Sequence, residues 1–476
     1  MLEPDRAVIN MIDIIENGKT PYKLITTEKG LAIDSNFQIE DNNNFKLNFT
    51  LQPDDQKKGI DLNYFFQTPF ALVTDGMAIH IKNVHLVKGS RGLQEDTPCN
   101  VNVQIKSFRG DIDDSLWKQS KQKAYIKYNK SKFNPYSSGL IFDLTTRKED
   151  NGFFNAVALK VGKVDFLFYH ETIDADNGYF IINPSGQIDF NEFEAVVEAV
   201  ITAYGFLNGF YMRNMIYYFT VKKVENKDRT SFYYENFDSA IISDKPIMDS
   251  GNYADVPREQ RQLTSTQFNK LVNLLYHDKE YLRSAYLLIE ASTLKGCSQA
   301  SLGAVALETI TRKIQEKTAA EKIIDDKTVS RGLLYDLNKV IKKYTDHLKK
   351  DQLTMLTNKI NIINNKPNSS KLTLAFDQMG IILDLEEKEC INSRNLFLHG
   401  NLPRNKNTIL NDQELLSILA NRLVMLSSML ILKLVGYDGN VIDRGMTEVI
   451  KWRMIHAGQR VRGGSCLRNI ASAGKS

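Results

Sequence analysis

Between Ile391 and Gly400 the chain reads Ile-Asn-Ser-Arg-Asn-Leu-Phe-Leu-His-Gly, which sets Arg394, Asn395 and His399 within six positions. These side chains suit phosphate chemistry. A guanidinium grips a phosphate through two parallel hydrogen bonds, an amide orients it, and an imidazole that titrates near neutral pH exchanges protons. On a helix turning about 100° per residue, Cys390, Ile391, Phe397 and Leu398 share an apolar face, and Arg394 projects from its middle. Asn392, Asn395 and His399 form the adjoining stripe, with Asn395 and His399 in i,i+4 register. A guanidinium in apolar surroundings cannot discharge itself by losing a proton, so it requires an anion. Gly400 followed by Pro403 is a stop signal, which puts His399 near the negative end of the helix dipole and favours its protonated form.

The helix that carries these residues is predicted over Leu385 to His399, started by an N-cap pair of Asp384 and Glu387. Helical periodicity extends well to either side. It predicts helices over Thr264 to His277, Lys279 to Leu294, Ser298 to Lys317, Thr328 to Leu348, Asp351 to Ile363, Lys371 to Leu383 and Asn411 to Val435. Residues 264–436 therefore read as an all-α bundle. The very apolar stretch Tyr286 to Ile289 belongs at its centre, which offers Glu290 as the anion for Arg394. Glu308 is the other candidate, although Arg312 stands four residues on as an ordinary surface partner for it.

Residues 1–225 carry a different signal. Phe45 to Leu51 alternates apolar and polar residues, and Ala78 to Leu86 does so in part. Val101 to Ile105, Leu140 to Leu144 and Phe153 to Phe168 are rich in branched and aromatic residues. With turn clusters between them, these runs predict a β-rich domain, a sandwich or a strongly curved sheet. An amphipathic helix over Phe190 to Gly209 and a closing strand over Phe210 to Val221 complete it. Residues 226–263 lack sustained periodicity and read as a linker, and 437–476 as a basic C-terminal tail, with Gly463-Gly464 and Ala471 to Ser476 disordered. The fold class is α+β and multidomain.

Charge separates the two ends of the chain. From Ile391 to Ser476 twelve Lys and Arg face five Asp and Glu, a surplus of seven in a chain whose total is +4. The excess accompanies the Arg-Asn-His stretch, as binding of a polyanion would require; a solvated basic tail is the plain alternative. The four cysteines, at 99, 297, 390 and 466, show no CxxC pair, so the pattern offers neither a disulfide framework nor a metal site. No secretory signal is evident at the start of the sequence. The best membrane candidate, Leu415 to Val435, contains Asn421, Arg422 and Lys433 and reads better as a core helix. A cytoplasmic protein is expected.

Arg394-Asn395-Leu396-Phe397-Leu398-His399 resembles the Arg-polar-x-x-x-His signature of HEPN ribonucleases, and the resemblance extends over roughly 264–436. More loosely, the β-rich half with Gly205-Phe-Leu-Asn-Gly209 is similar to the N-terminal part of antiphage proteins of the ApeA type. The resemblance implies a metal-independent endoribonuclease without cofactor, active in abortive defence against phage and answering a phage-derived trigger. Catalysis would rest on Arg394, Asn395 and His399, with RNA cut through its own 2′-OH. One histidine cannot easily be base and acid at once, so a homodimer that brings two motifs face to face is expected, with the apolar positions beside Arg394 as its seam. The competing reading is a catalytically silent HEPN scaffold that binds RNA or a partner protein, its motif serving packing.

Overall fold

The computed structural model describes residues 3–16, 22–26, 32–39, 45–54, 70–74, 77–90, 98–110, 121–129, 139–147, 153–173, 177–211, 216–224, 227–235, 241–242, 246–248, 257–316, 323–324, 326–364, 368–398, 411–457 and 466–470. The chain divides into two compact units, Met1–Leu282 and Arg283–Ser476.

In the first unit, α1 (Glu3–Glu16) precedes six antiparallel strands: β1 (Tyr22–Thr26), β2 (Ala32–Ile39), β3 (Phe45–Leu51), β4 (Phe70–Thr74), β5 (Met77–Ser90) and β6 (Cys99–Gly110). They hydrogen-bond in the order β3-β2-β1-β4-β5-β6, and β3 pairs again with β6, from Phe45 opposite Ile105 to Leu51 opposite Cys99. That last pairing closes a six-stranded barrel, which leaves no free edge there. Alternation in β3 sends Phe45, Leu47, Phe49 and Leu51 inward, as the sequence pattern predicts. Phe37 stacks on Phe45 at 4.9 Å between ring centroids, and Phe108 meets Phe45 edge-on at 5.0 Å. The amphipathic α1, a helix the sequence analysis does not predict, adds Ile9, Ile12 and Ile15 to this core.

On the edge away from β5, β6 serves two neighbours. Its first half pairs with β3, whereas Ser107 to Gly110 pairs with β14 (Lys227–Glu235). From there the sheet continues as β14-β13-β7-β11-β10-β9-β8, using β7 (Lys121–Asn129), β8 (Leu144–Arg147), β9 (Phe153–Val161), β10 (Val164–Thr172), β11 (Asn177–Pro184) and β13 (Ile216–Val224). Lys227–Glu235 is thus a sheet strand and not linker, paired along its whole length with β13. A strand buried on both faces shows apolar residues without alternation, and Tyr179 to Ile182 in β11 does so. On one face lies α2 (Phe190–Asn208), capped by the Asp189 side chain, which accepts from the Asn191 N–H at 2.9 Å, and ended by Gly209 at φ +73°. Only glycine takes that left-handed turn at little cost. The expected closing strand divides into β12 (Phe210–Tyr211), paired with β15 (Ile241–Ile242), and β13, while Leu140 makes an isolated bridge to Leu263 outside any strand. On α3 (Ser265–His277), Asn269 accepts from the Lys160 N–H and Asn273 donates to the Lys160 carbonyl, both at 2.8 Å, which ties α3 to β9.

The unit boundary falls within α4 (Lys279–Thr293). The second unit is built on α5 (Gly296–Glu316) with α6 (Lys327–Lys342), α7 (Lys350–Asn361), α8 (Asn368–Gln378), α9 (Leu385–Leu398), α10 (Asp412–Leu434) and α11 (Arg444–Ala457). The apolar α10 lies along α5 and is buried for most of its length, as the core reading expects. Gly303 permits the close approach, since a Cβ there would stand 3.2 Å from the Leu423 Cβ. The segment expected as a basic tail is largely folded: β16 (Asn440–Asp443) and β17 (Cys466–Asn469) form an antiparallel pair flanking α11. Gly463-Gly464 and 471–476 lie outside the described residues.

Candidate active site

α9 begins as its sequence predicts. Asp384 Oδ1 accepts from the Glu387 N–H at 2.7 Å and Glu387 Oε2 accepts from the Asp384 N–H at 3.0 Å, a reciprocal cap. Glu387 then does more than cap. Although 2% exposed, it takes Arg468 of β17 in a two-pronged bond, Nε to Oε1 at 2.8 Å and Nη2 to Oε2 at 3.1 Å. Arg468 Nη2 also donates to the Ile382 carbonyl at 2.7 Å, so both buried charges are matched. Next to this pair, Arg422 of α10 reaches Glu386 at 2.5 Å. Unlike the cap, the Arg468–Glu387 and Arg422–Glu386 contacts leave no mark in the sequence, where nothing sets Arg468 apart from the many basic residues of its segment.

Along α9 the faces divide nearly as helical spacing predicts. Cys390, Ile391, Arg394 and Phe397 are buried, and Asn392 and Asn395 are exposed. Leu398, assigned to the apolar face and the last residue of α9, is 37% exposed instead. Cys390 Sγ donates to the Leu419 carbonyl at 3.3 Å, and burial pushes its thiol up to about 12. Cys297, Cys390 and Cys466 are all free thiols.

Arg394 finds its anion inside the chain. Its Nε donates to Glu308 Oε1 on α5 at 3.0 Å, and Nη1 donates to the Ile391 carbonyl at 3.3 Å. The partner is Glu308, the second of the two candidates, and not Glu290. Arg312, the surface alternative for Glu308, pairs with Glu316 one turn further along α5. Arg394 is 3% exposed and Glu308 43%, so the pair runs from the core to the surface of the unit. Ile391 and Phe397, expected as the seam of a dimer, are consumed by packing within the chain; Ser301 Oγ on α5 donates to the Phe397 carbonyl at 3.1 Å.

Of the three predicted site residues, Arg394 and Asn395 thus stand on successive positions of α9, one buried and ion-paired, the other open to solvent. His399, with Gly400 and Pro403, lies outside the described residues. No protein-family model, no curated protein and no solved structure matches the chain.

Proposed function

We propose that this chain is a metal-independent endoribonuclease of the HEPN kind, an abortive-infection effector that cuts RNA in the cytoplasm once a phage-derived trigger is present. The observation that carries the reading is Asn395, exposed on a helix held at its start by the Asp384–Glu387 cap and in its body by Arg394–Glu308, four residues before His399. Precise positioning of this kind is what phosphate chemistry requires. His399 would take the proton of the ribose 2′-OH as its oxygen attacks the adjacent phosphorus. The P–O5′ bond breaks, and the departing 5′-oxygen takes a proton from the His399 of a second copy. The products are a 2′,3′-cyclic phosphate and a 5′-OH end. Arg394 commits two of its five donors, to Glu308 and Ile391, and the incoming phosphate competes with the half-exposed Glu308 for the guanidinium.

The Arg394–Glu308 bond also favours the second reading, a silent scaffold, because it satisfies the buried cation without any ligand. One assay separates them: RNA cleavage by wild type and by His399→Ala with a chelator present, followed by mapping of the ends. Wild type should leave cyclic phosphates and the variant should lose roughly 10²–10⁴ in rate. Equal cutting by both removes His399 from the site; no cutting by wild type under any trigger leaves the scaffold.

A further inference from the structure

In the hairpin of α6 and α7, Asp326 caps the first helix, its Oδ1 accepting from the Thr328 and Val329 N–H groups at 2.7 and 3.1 Å. Asn364 clasps the base. Its Oδ1 accepts from the Ile324 N–H at 2.7 Å, and Nδ2 donates to the Ile324 carbonyl at 3.0 Å and to Ser330 Oγ at 2.7 Å. The two helices pack on each other, with Leu334, Leu337 and Ile341 of α6 half-buried. Charge in this hairpin is lopsided. From Lys327 to Asn361 eight Lys and Arg face three Asp and no Glu, a surplus of five in a chain whose total is +4.

Most of the surplus lies on one face of α6. At about 100° per residue, Lys327, Thr328, Arg331, Gly332, Tyr335, Asn338, Lys339, Lys342 and Lys343 fill an arc of roughly 160° turned from the packed side. No acid falls within the arc, and Asp336 stands just beyond its edge. All five cations are exposed, and none pairs with a described carboxylate, although Asp336 and Asp346 are near in sequence. On α5, by contrast, Arg312 and Lys313 both pair with Glu316. A solvated helix face mixes signs and pairs them a turn apart. Cations gathered without carboxylates complement a polyanion instead. Tyr335 stands at the centre of the arc, 69% exposed. A ring so placed offers its face to an unpaired base, which a duplex would keep stacked within itself. The exposed apolar residues Val329, Leu333, Val340 and Tyr344 lie on another side of α6, roughly 150° round from Tyr335. A lipid surface that took them up would leave most of the cations facing away.

We infer that this face of α6 binds single-stranded RNA, with Lys327, Arg331, Lys339, Lys342 and Lys343 on its phosphates and Tyr335 stacked on a base. That the strand is RNA rests on the ribonuclease reading; that the face takes a single-stranded polyanion does not. The test is fluorescence anisotropy of a labelled, unstructured RNA oligonucleotide over a salt series. The full chain carries His399→Ala to keep the probe intact, and circular dichroism verifies folding. This parent should bind the probe. Arg331→Ala, Lys339→Ala and Lys342→Ala together should weaken binding about tenfold or more and flatten the slope of log affinity against log salt by about 2. Tyr335→Ala should weaken binding roughly 5- to 100-fold at unchanged slope, and Tyr335→Phe should match the parent. Removal of three exposed charges from the first unit, at Lys23, Lys121 and Lys163, should change little. Absence of binding at low salt, a triple α6 variant that binds like its parent, or an equal loss from the first-unit variant overturns the inference. Unchanged affinity in Tyr335→Ala, or tighter binding of a duplex, overturns the single strand as occupant. A chain that ignores RNA and pellets with vesicles of anionic phospholipid overturns it in favour of lipid. If wild type cuts no RNA yet the α6 charges are still needed for binding, the ribonuclease reading falls and the α6 face stands.

Discussion

At Arg394 the cost of burying a guanidinium is set against one carboxylate and one carbonyl. The two sides of that bond are unequal, since Glu308 is open to water and Arg394 is not. Glu308→Ala should therefore cost about 2–4 kcal/mol by stranding a buried cation, and Arg394→Met clearly less, since it leaves a carboxylate that water can solvate. Urea unfolding of both variants checks the asymmetry; equal losses would mean that the pair is not what holds Arg394 in place. Cys390 shows the same logic with the charge removed. Its burial keeps the thiol neutral, which makes it a packing residue rather than a nucleophile.

At the level of elements, α9 is a helix clamped from two directions. α5 holds its body through Glu308, and β17 holds its start through Arg468 and Glu387. The C-terminal segment is accordingly part of the second unit's fold. Removal of residues 458–476 would leave Glu387 buried without its cation, and Arg468→Ala reproduces that loss by a single change. Each should destabilise the unit by about 3–5 kcal/mol, read as a lower denaturation midpoint. Full retention of stability by the truncated chain would show that β17 is only an appendage. The β-rich unit follows a different rule, in which the two halves of β6 serve a closed barrel and an open sheet at once.

For the molecule as a whole, the ribonuclease reading requires two copies of His399 at one phosphate. Mixing catalytically dead His399→Ala protein with wild type should then depress activity more steeply than dilution does, because each mixed pair retains one histidine where two are needed. A linear fall with the wild-type fraction would mean that each chain works alone. The apolar residues beside Arg394 are committed to the unit's own core, so pairing at the motif would have to use exposed positions of α9 such as Asn392, Asn395 and Leu396.

Much of this architecture is legible in the order of residue types. Period-2 alternation marked β3, period 3.6 marked the helices from α3 to α10, although α6 stops at Lys342 and α8 at Gln378 where the periodicity predicts Leu348 and Leu383, and the Asp384–Glu387 cap followed from local spacing. These features are local, set by backbone geometry and nearest-neighbour hydrogen bonds. The sequence by itself also determined that Arg394 must have an anion, because a guanidinium cannot be buried unpaired. Which anion was a tertiary matter: Glu308 lies 86 positions away and Glu387 meets Arg468 across 81, distances at which spacing along the chain carries no signal. Lys227–Glu235 could pass for linker for the same reason, since its polar-rich text becomes a strand only where β13 and β6 present their free hydrogen-bonding edges. The stretch Ile391 to Gly400 thus defined a chemistry, whereas the fold decided that its arginine is held from within the chain and that its asparagine faces the solvent.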